Sequence, residues 1–279
     1  MRIGVRAHDV GGVLPAEQLA SCVSQKGFCS VQLTLDDALQ GFSYQPGCLN
    51  TGLAYHVAQA FRQEQVQIAV FSCYINPVHP DLAERRKQLS KFKEYVRFAR
   101  DFDCGIVATE TGSIGKCGAY DPRNHGEEAF HCFLESLREM VAEAEKFGVK
   151  VCIEGVEKFV IHDPKSIRRM LDSVPSNNLQ ILFDPVNLLS PQNYSDCAAL
   201  IEESLALFGD RIAVFHAKDF IVEDGELRRV PIGEGFVDFT PILRYIKNRK
   251  PYVNVIVEEY WPEGATASLR YLQETYARL

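Results

Sequence analysis

The 279-residue chain has no C-x-x-C pair among its nine cysteines, no Lys/Arg-rich block and no apolar stretch long enough to cross a bilayer. Each absence excludes something. Without paired spacing a structural zinc site lacks its usual ligands. An odd cysteine count, with Cys104 and Cys152 inside apolar runs, reads as small buried hydrophobes in a reducing compartment. A formal charge of −7 without a basic block argues against nucleic acid as a partner, because phosphate binding is driven by Lys and Arg. No signal peptide precedes the opening Met-Arg-Ile-Gly-Val-Arg, so a cytoplasmic location away from membranes is expected. No Gly/Ser/Pro linker divides the chain, and residues 1–279 read as one domain. No glycine fingerprint follows the first strand, which disfavours a doubly wound open sheet. The stretch Gly112-Ser-Ile-Gly115-Lys116-Cys-Gly118 lacks the spacing of a phosphate loop and has no Ser/Thr after the lysine.

What is present is an alternation. The chain is 46% hydrophobic and 24% charged, as expected of a globular protein. Near-continuous apolar runs predict strands at Arg2–Ala7, Phe28–Leu33, Val66–Ser72, Cys104–Thr109, Val149–Glu154, Leu179–Asp184, Arg211–His216 and Val253–Glu258. Weak period-2 alternation is typical of strands covered on both faces. Helical spacing fills the gaps, most clearly from Asp81 to Asp101 and from Glu127 to Phe147. Gly148 stands where a C-cap glycine belongs, and Asp163-Pro164 opens a further helix. Weaker helices are expected at Pro15–Lys26, Thr51–Gln63, Ser195–Leu207, Thr240–Lys247 and Thr266–Ala277. Eight strands, each followed by a helix, predict a closed (β/α)8 TIM barrel. The irregular stretch Phe220–Asp238 holds an Asp224-Gly225 turn and a β-hairpin.

Four of the strands end alike. Val-Lys-Val-Cys-Ile-Glu154, Leu-Gln-Ile-Leu-Phe-Asp184, Arg-Ile-Ala-Val-Phe-His216 and Val-Asn-Val-Ile-Val-Glu258 each carry a metal-binding side chain at the C-terminal edge. Charged groups are rarely buried unless paired or bound to metal. Barrel active sites lie at the C-terminal strand ends, so these four converge. Three carboxylates and one imidazole make a hard, mostly oxygen site for one divalent ion, with Mn2+ favoured and Mg2+, Co2+ or Zn2+ as alternatives.

The motifs Ile-Glu154-Gly, Phe-Asp184-Pro-Val-Asn187, Phe-His216-Ala-Lys218-Asp219, Gly233-Glu-Gly235-Phe-Val-Asp238 and Val-Glu258-Glu259 make the chain resemble the xylose isomerase-like barrels. Within these it is similar to the sugar phosphate isomerase/epimerase proteins that include the ketose 3-epimerases. The resemblance implies that Glu154, Asp184, His216 and Glu258 hold the ion. It also implies that Glu154 and Glu258 flank a small sugar and move its proton. Carboxylate-mediated proton transfer beside a carbonyl, through a metal-stabilised enediolate, would give a ketose epimerase or isomerase. The alternative on the same scaffold is a dehydratase of an inosose or a dehydroshikimate-type acid. Homo-oligomers are common among similar barrels. The endonuclease branch of the superfamily is disfavoured, because it needs more histidines. Asn187 stands where that branch and the ketose epimerases carry histidine, and no Asp-x-His follows His216.

Other polar residues follow the strands. His8, Tyr74, Asn76, Glu110, Glu157, Asn187 and Lys218 are candidates to bind substrate, with Thr111 beside them. Lys218 would point into the mouth on the same side as His216. Glu258 and Glu259 point to opposite sides of the last strand, and family alignment favours Glu258 as the ligand. Arg228 and Arg229 read as a solvated face of the hairpin, and His56, His79, His125, His131 and His162 as structural.

Overall fold

A computed structural model describes residues 1–115, 119–259 and 265–279. The second half of the dismissed phosphate-loop phrase, Lys116 to Gly118, therefore lies outside the described residues, and so does the ninth cysteine, Cys117. The other eight cysteines are free. Among the described residues no helix is long and apolar enough to cross a membrane.

The chain runs β1 (Arg2–Arg6), α1 (Ala7–Gly11), α2 (Ala16–Gln25), β2 (Ser30–Leu33), α3 (Leu35–Ala38), α4 (Thr51–Gln63), β3 (Gln67–Ser72), α5 (Leu82–Phe98) and β4 (Ile106–Glu110). It continues through α6 (Glu127–Phe147), β5 (Lys150–Glu154), α7 (Pro164–Ser173), β6 (Leu179–Phe183), α8 (Cys197–Phe208) and β7 (Ile212–Ala217). The last elements are β8 (Asp219–Glu223), β9 (Glu226–Val230), α9 (Thr240–Arg249), β10 (Asn254–Val257) and α10 (Ala265–Arg278). Eight parallel strands close in the order β1-β10-β7-β6-β5-β4-β3-β2. The last of them seals the barrel against the first, from Arg2 opposite Asn254 to Val5 opposite Val257.

The rule of one helix per strand fails twice. Two helices follow β1, and two follow β2. Ala7, read above as the end of the first strand, opens the short α1 instead. The start and stop signals elsewhere act as expected. The Asp163 carboxylate accepts from Ser166 N at 2.7 Å in a reciprocal capping box. Asp81 caps α5, and Gly148 adopts φ 64° beyond α6. The Asp224-Gly225 turn joins β8 to β9 with positive φ at both residues, the geometry of a two-residue hairpin.

Two apolar layers hold the barrel. The larger lies between the sheet and the helices. The smaller is inside, where Val70, Ala108, Cys152, Leu182, Val214 and Ile256 meet. Side chains two apart on a strand share a face. The interior therefore continues upward from Cys152 to Glu154, from Leu182 to Asp184, from Val214 to His216 and from Ile256 to Glu258. Polar residues follow by the same step on the remaining strands, with Arg6 after Gly4, Gln32 after Ser30 and Glu110 after Ala108.

Space in the interior is tight at Gly4. A Cβ there would lie 2.5 Å from the Ser30 carbonyl oxygen and 2.7 Å from Ile256 Cδ1. Gly4→Ala should lower unfolding stability by about 1–3 kcal/mol through overpacking, read from urea titration. A variant as stable as the parent would show that the β1–β2 contact yields freely.

Candidate metal centre

The four strand-end residues meet as the inner-face periodicity requires. One ligand atom from each of Glu154, Asp184, His216 and Glu258 lies within 4.8 Å of the others, and all four residues are buried. His216 Nδ1 is the hub. It stands 3.3 Å from Glu154 Oε1, 3.8 Å from Asp184 Oδ2 and 2.8 Å from Glu258 Oε2. Glu259, by contrast, turns away. It has φ 58°, and its amide donates to Asp9 Oδ2 at 2.9 Å.

Each ligand is oriented by a neighbour. Gln32 Oε1 accepts from His216 Nε2 at 2.7 Å, which puts the ring's proton on Nε2 and turns Nδ1 toward the carboxylates. Gln32 Nε2 in turn donates to Tyr74 Oη at 2.9 Å. Asp184 Oδ1 takes the Val186 and Asn187 amides at 2.9 and 3.2 Å, leaving Oδ2 for the centre. Asn187 Nδ2 donates to Glu154 Oε1 at 2.7 Å. Arg6, held on Asp9, reaches Glu258 Oε1 at 2.5 Å. Arg6, Asp9 and Gln32 were not among the sequence candidates. For Arg6 and Gln32 the signal was the same as that of Glu154, a polar side chain interrupting a buried strand, whereas Asp9 lies in α1 and carries no such signal.

Lys218 Nζ enters from above, 3.0 Å from Asp184 Oδ2, 2.9 Å from Glu258 Oε2 and 3.0 Å from Asn187 Oδ1. Burial would raise the Glu258 carboxyl, but Lys218 and His216 outweigh it and hold Glu258 well below the usual range. Glu110 has the opposite fate. Burial, then the charges of Glu154 and Glu258, push it up to about 7.

The remaining candidates divide. Tyr74 and Glu110 line a cavity of about 450 Å3, and Glu110, Glu157, Asn187 and Lys218 line one of about 290 Å3. Arg229, read above as solvated, also faces the second cavity. Arg228 pairs with Glu223 on the hairpin. Asn76 ties two loops together: it donates to Ser113 O at 2.7 Å and accepts the Val78 and Ser113 amides. Thr111 Oγ1 accepts the Ile161 amide. His8 lies in α1 with Nε2 3.6 Å from Asp9 Oδ1, and is not part of the ligand cluster.

The donor set fits a divalent cation on an observation independent of family. Asp184 Oδ2, His216 Nδ1 and Glu258 Oε2 are buried, face one another, and have no partner in hydrogen-bond geometry. Buried polar atoms without aligned hydrogen bonds are costly even where Lys218 lies against the two carboxylate oxygens, and one cation would engage all three. In the metal-free protein, burial favours the neutral His216 ring. Glu154 and Glu258 outweigh this and push it up to about 10. A raised folded value means that the charged ring stabilises fully below its ordinary 6.5, and that this contribution fades as pH climbs toward 10. Cation binding needs the neutral ring and releases its proton. Added Mn2+ should therefore raise the melting temperature, and more at about pH 8 than at about pH 6. Scanning calorimetry with and without chelator reads this, and equal midpoints with Mn2+, Mg2+, Co2+ and Zn2+ would count against the centre.

The model of the xylose isomerase-like TIM barrel matches residues 22–275. Among curated proteins, 3-oxo-isoapionate decarboxylase of Pectobacterium atrosepticum is 24% identical over 193 residues, covering 67% of this chain and 63% of that protein. The chain spans about three fifths of the length of the first curated relatives it matches. Among solved structures, a D-tagatose 3-epimerase-like protein superposes with TM-score 0.77 at 19% identity, covering 99% of this chain and 97% of that one. The probable 3-DHS dehydratase AsbF of Bacillus anthracis superposes with TM-score 0.75 at 14% identity, covering 98% of each chain. These two likenesses establish the shared barrel. The family match extends from α2 into α10 and takes in every strand that carries a ligand, so the chain belongs to the xylose isomerase-like TIM barrel family.

Proposed function

We propose that the protein is a divalent-metal-dependent isomerase or epimerase of a small keto sugar or sugar derivative. The observation that carries the reading is the placement of two carboxylates on one point. Glu154 and Glu258 both contact His216 Nδ1, yet come from β5 and β10, with β6 and β7 between them. A sugar seated above the imidazole would have a carboxylate toward either side of it. Glu154, Asp184, His216 and Glu258 would hold one ion, Mn2+ by preference with Mg2+, Co2+ or Zn2+ as substitutes. Once bound, it would supply a Lewis acid that offsets negative charge on the substrate's oxygens.

The chain's own groups do the rest. Glu154 removes the carbon-bound proton beside the carbonyl, and Asn187 fixes the direction of its Oε1. Glu258, ionised at rest and held in place by Arg6, would take a proton from Lys218 Nζ at 2.9 Å and deliver it from the other side, and the proton left on Glu154 would return to the lysine through solvent. Inversion at the same carbon is epimerisation, and delivery to the neighbouring carbon is isomerisation. Lys218 offers a cation to the substrate oxygens, while Tyr74, Glu110 and Glu157 receive hydroxyls along the wall. Two similar proteins bear on the chemistry: one curated relative is named a 3-oxo-isoapionate decarboxylase, and one structural neighbour is described as D-tagatose 3-epimerase-like.

One observation favours a second reading. Glu258 is contacted by two cations, Arg6 and Lys218, whereas Glu154 meets an amide and the imidazole. Such unequal carboxylates suit one-base chemistry, in which Glu154 abstracts and Lys218 assists a departing hydroxyl. That would be a dehydratase of an inosose or dehydroshikimate-type acid, the activity in the name of the Bacillus anthracis neighbour.

Incubation of the metal-loaded protein in D2O separates the two. The isomerase or epimerase should place deuterium at a carbon next to the carbonyl and conserve the substrate's oxygen content. The dehydratase should lose water and create an absorbing enone. Glu154→Gln and Glu258→Gln should each slow turnover by about 10²–10⁴-fold with the fold retained. Parental rates in both variants would remove the two carboxylates from the chemistry.

A further inference from the structure

The central cavity does not end at the reacting centre. Glu110, in its wall, also lines the cavity of about 450 Å3. At Tyr74 that cavity adjoins a third, of about 400 Å3, walled by the segment 43–46 and by α5. The three lie in a row, sharing Glu110 and then Tyr74, Ile75, Glu84 and Gln88 in their linings, and together mark a groove leading outward between the loops that follow β2, β3 and β4. The central cavity alone is near the lower end of small-molecule sites, whereas the groove offers far more room.

The outer wall is built in advance. Residues 39–50 form no helix or strand, and long irregular loops in compact folds are usually functional. Here the Glu94 carboxylate on α5 pins the loop, accepting from Tyr44 Oη at 2.9 Å, Gly47 N at 3.0 Å and Leu49 N at 3.1 Å. Asp36 Oδ1 takes the Tyr44 amide at 2.8 Å. A wall fixed by four hydrogen bonds needs no ligand to order it.

The charges along the groove cancel. Lys91 pairs with Asp36 at 2.7 Å, and Lys87 stands 3.6 Å from Glu84. The lysines of the outer cavity thus have carboxylates of their own, and an anionic tail would find no vacant partner there. The lining instead mixes aromatic faces, Tyr74, Tyr44 and Phe159, with hydrogen-bonding side chains. Tyr74 is fixed as a donor: its oxygen already accepts from Gln32, so its proton is directed elsewhere.

We infer that this groove receives a neutral second sugar ring, so that the substrate is a glycosylated keto sugar rather than a free or phosphorylated one. The inference rests on the isomerase/epimerase reading and deepens it. The reacting ring occupies the centre beside Glu154 and Glu258, and the glycosyl ring lies past Tyr74 against the pinned loop.

The test compares deuterium uptake, by NMR, at the carbon next to the carbonyl. The substrates are free ketohexoses (fructose, tagatose, psicose, sorbose), fructose 6-phosphate, and the glycosyl ketoses lactulose, maltulose and isomaltulose. At least one glycosyl ketose should exceed its parent sugar in kcat/KM by about tenfold or more. Ser43→Trp and Gln45→Trp, both at exposed positions of the outer wall, should each abolish that excess and leave exchange of the free ketose unchanged. Equal or faster exchange of the free sugars or of fructose 6-phosphate overturns the inference and leaves the isomerase/epimerase reading standing. So does an excess that survives both tryptophans. Absence of exchange in every sugar, with metal bound, overturns both.

Discussion

Three carboxylates share one imidazole nitrogen at the mouth of the barrel, and much of the surrounding structure answers to that crowding. Like charges at such separations repel strongly when water is excluded. The chain meets the problem with Arg6 and Lys218, each touching Glu258, and with directed amides on the remaining oxygens. Even so, Asp184 Oδ2, His216 Nδ1 and Glu258 Oε2 meet their neighbours through charge and make no aligned hydrogen bond. Stability is given up at this point in a way that fits a cation-binding centre, and a bound cation would restore it.

Much of this was legible from the residues. The four clustered side chains stood out because each breaks an apolar run at the same end of a strand, and strand periodicity carries all four to the inner face. The helix boundaries at Asp81, Gly148 and Asp163 were legible because capping is local chemistry, independent of what the helix packs against. The hairpin was legible from Asp224-Gly225, since only a narrow set of residues accepts positive φ twice in succession.

What escaped notice was tertiary. Arg6 and Gln32 carry the same periodic signal as the ligands, yet they are side chains common on surfaces, and their roles appear only when β1 and β2 close beside β10 and β3. Arg229 read as solvent-facing because nothing local tells which side of a hairpin lies over the barrel. Asn76 lines the cavity beside Tyr74, and its tie to the loop after β4 could not be seen from its place after a strand. The extra helices after β1 and β2 are too short for periodicity to reveal. A further device is visible only in three dimensions. The Asp219 carboxylate, next to Lys218, accepts the amides of Phe220, Gly233, Gly235 and Val237 and so ties the hairpin's return segment to the ligand strand.

The seam between β1 and β10 has a consequence for how the protein is made. Glu154, Asp184 and His216 come from neighbouring strands and emerge from the ribosome in sequence, within a stretch that can pair locally. Glu258 and its partner Arg6 belong to opposite ends of the chain and meet only when the barrel shuts. Contacts of such sequence separation form late, after the entropic cost of loop closure is overcome. A nascent polypeptide short of β10 thus lacks Glu258 and the seam that brings Arg6 to it, so the four-residue cluster is assembled only by closure of the barrel.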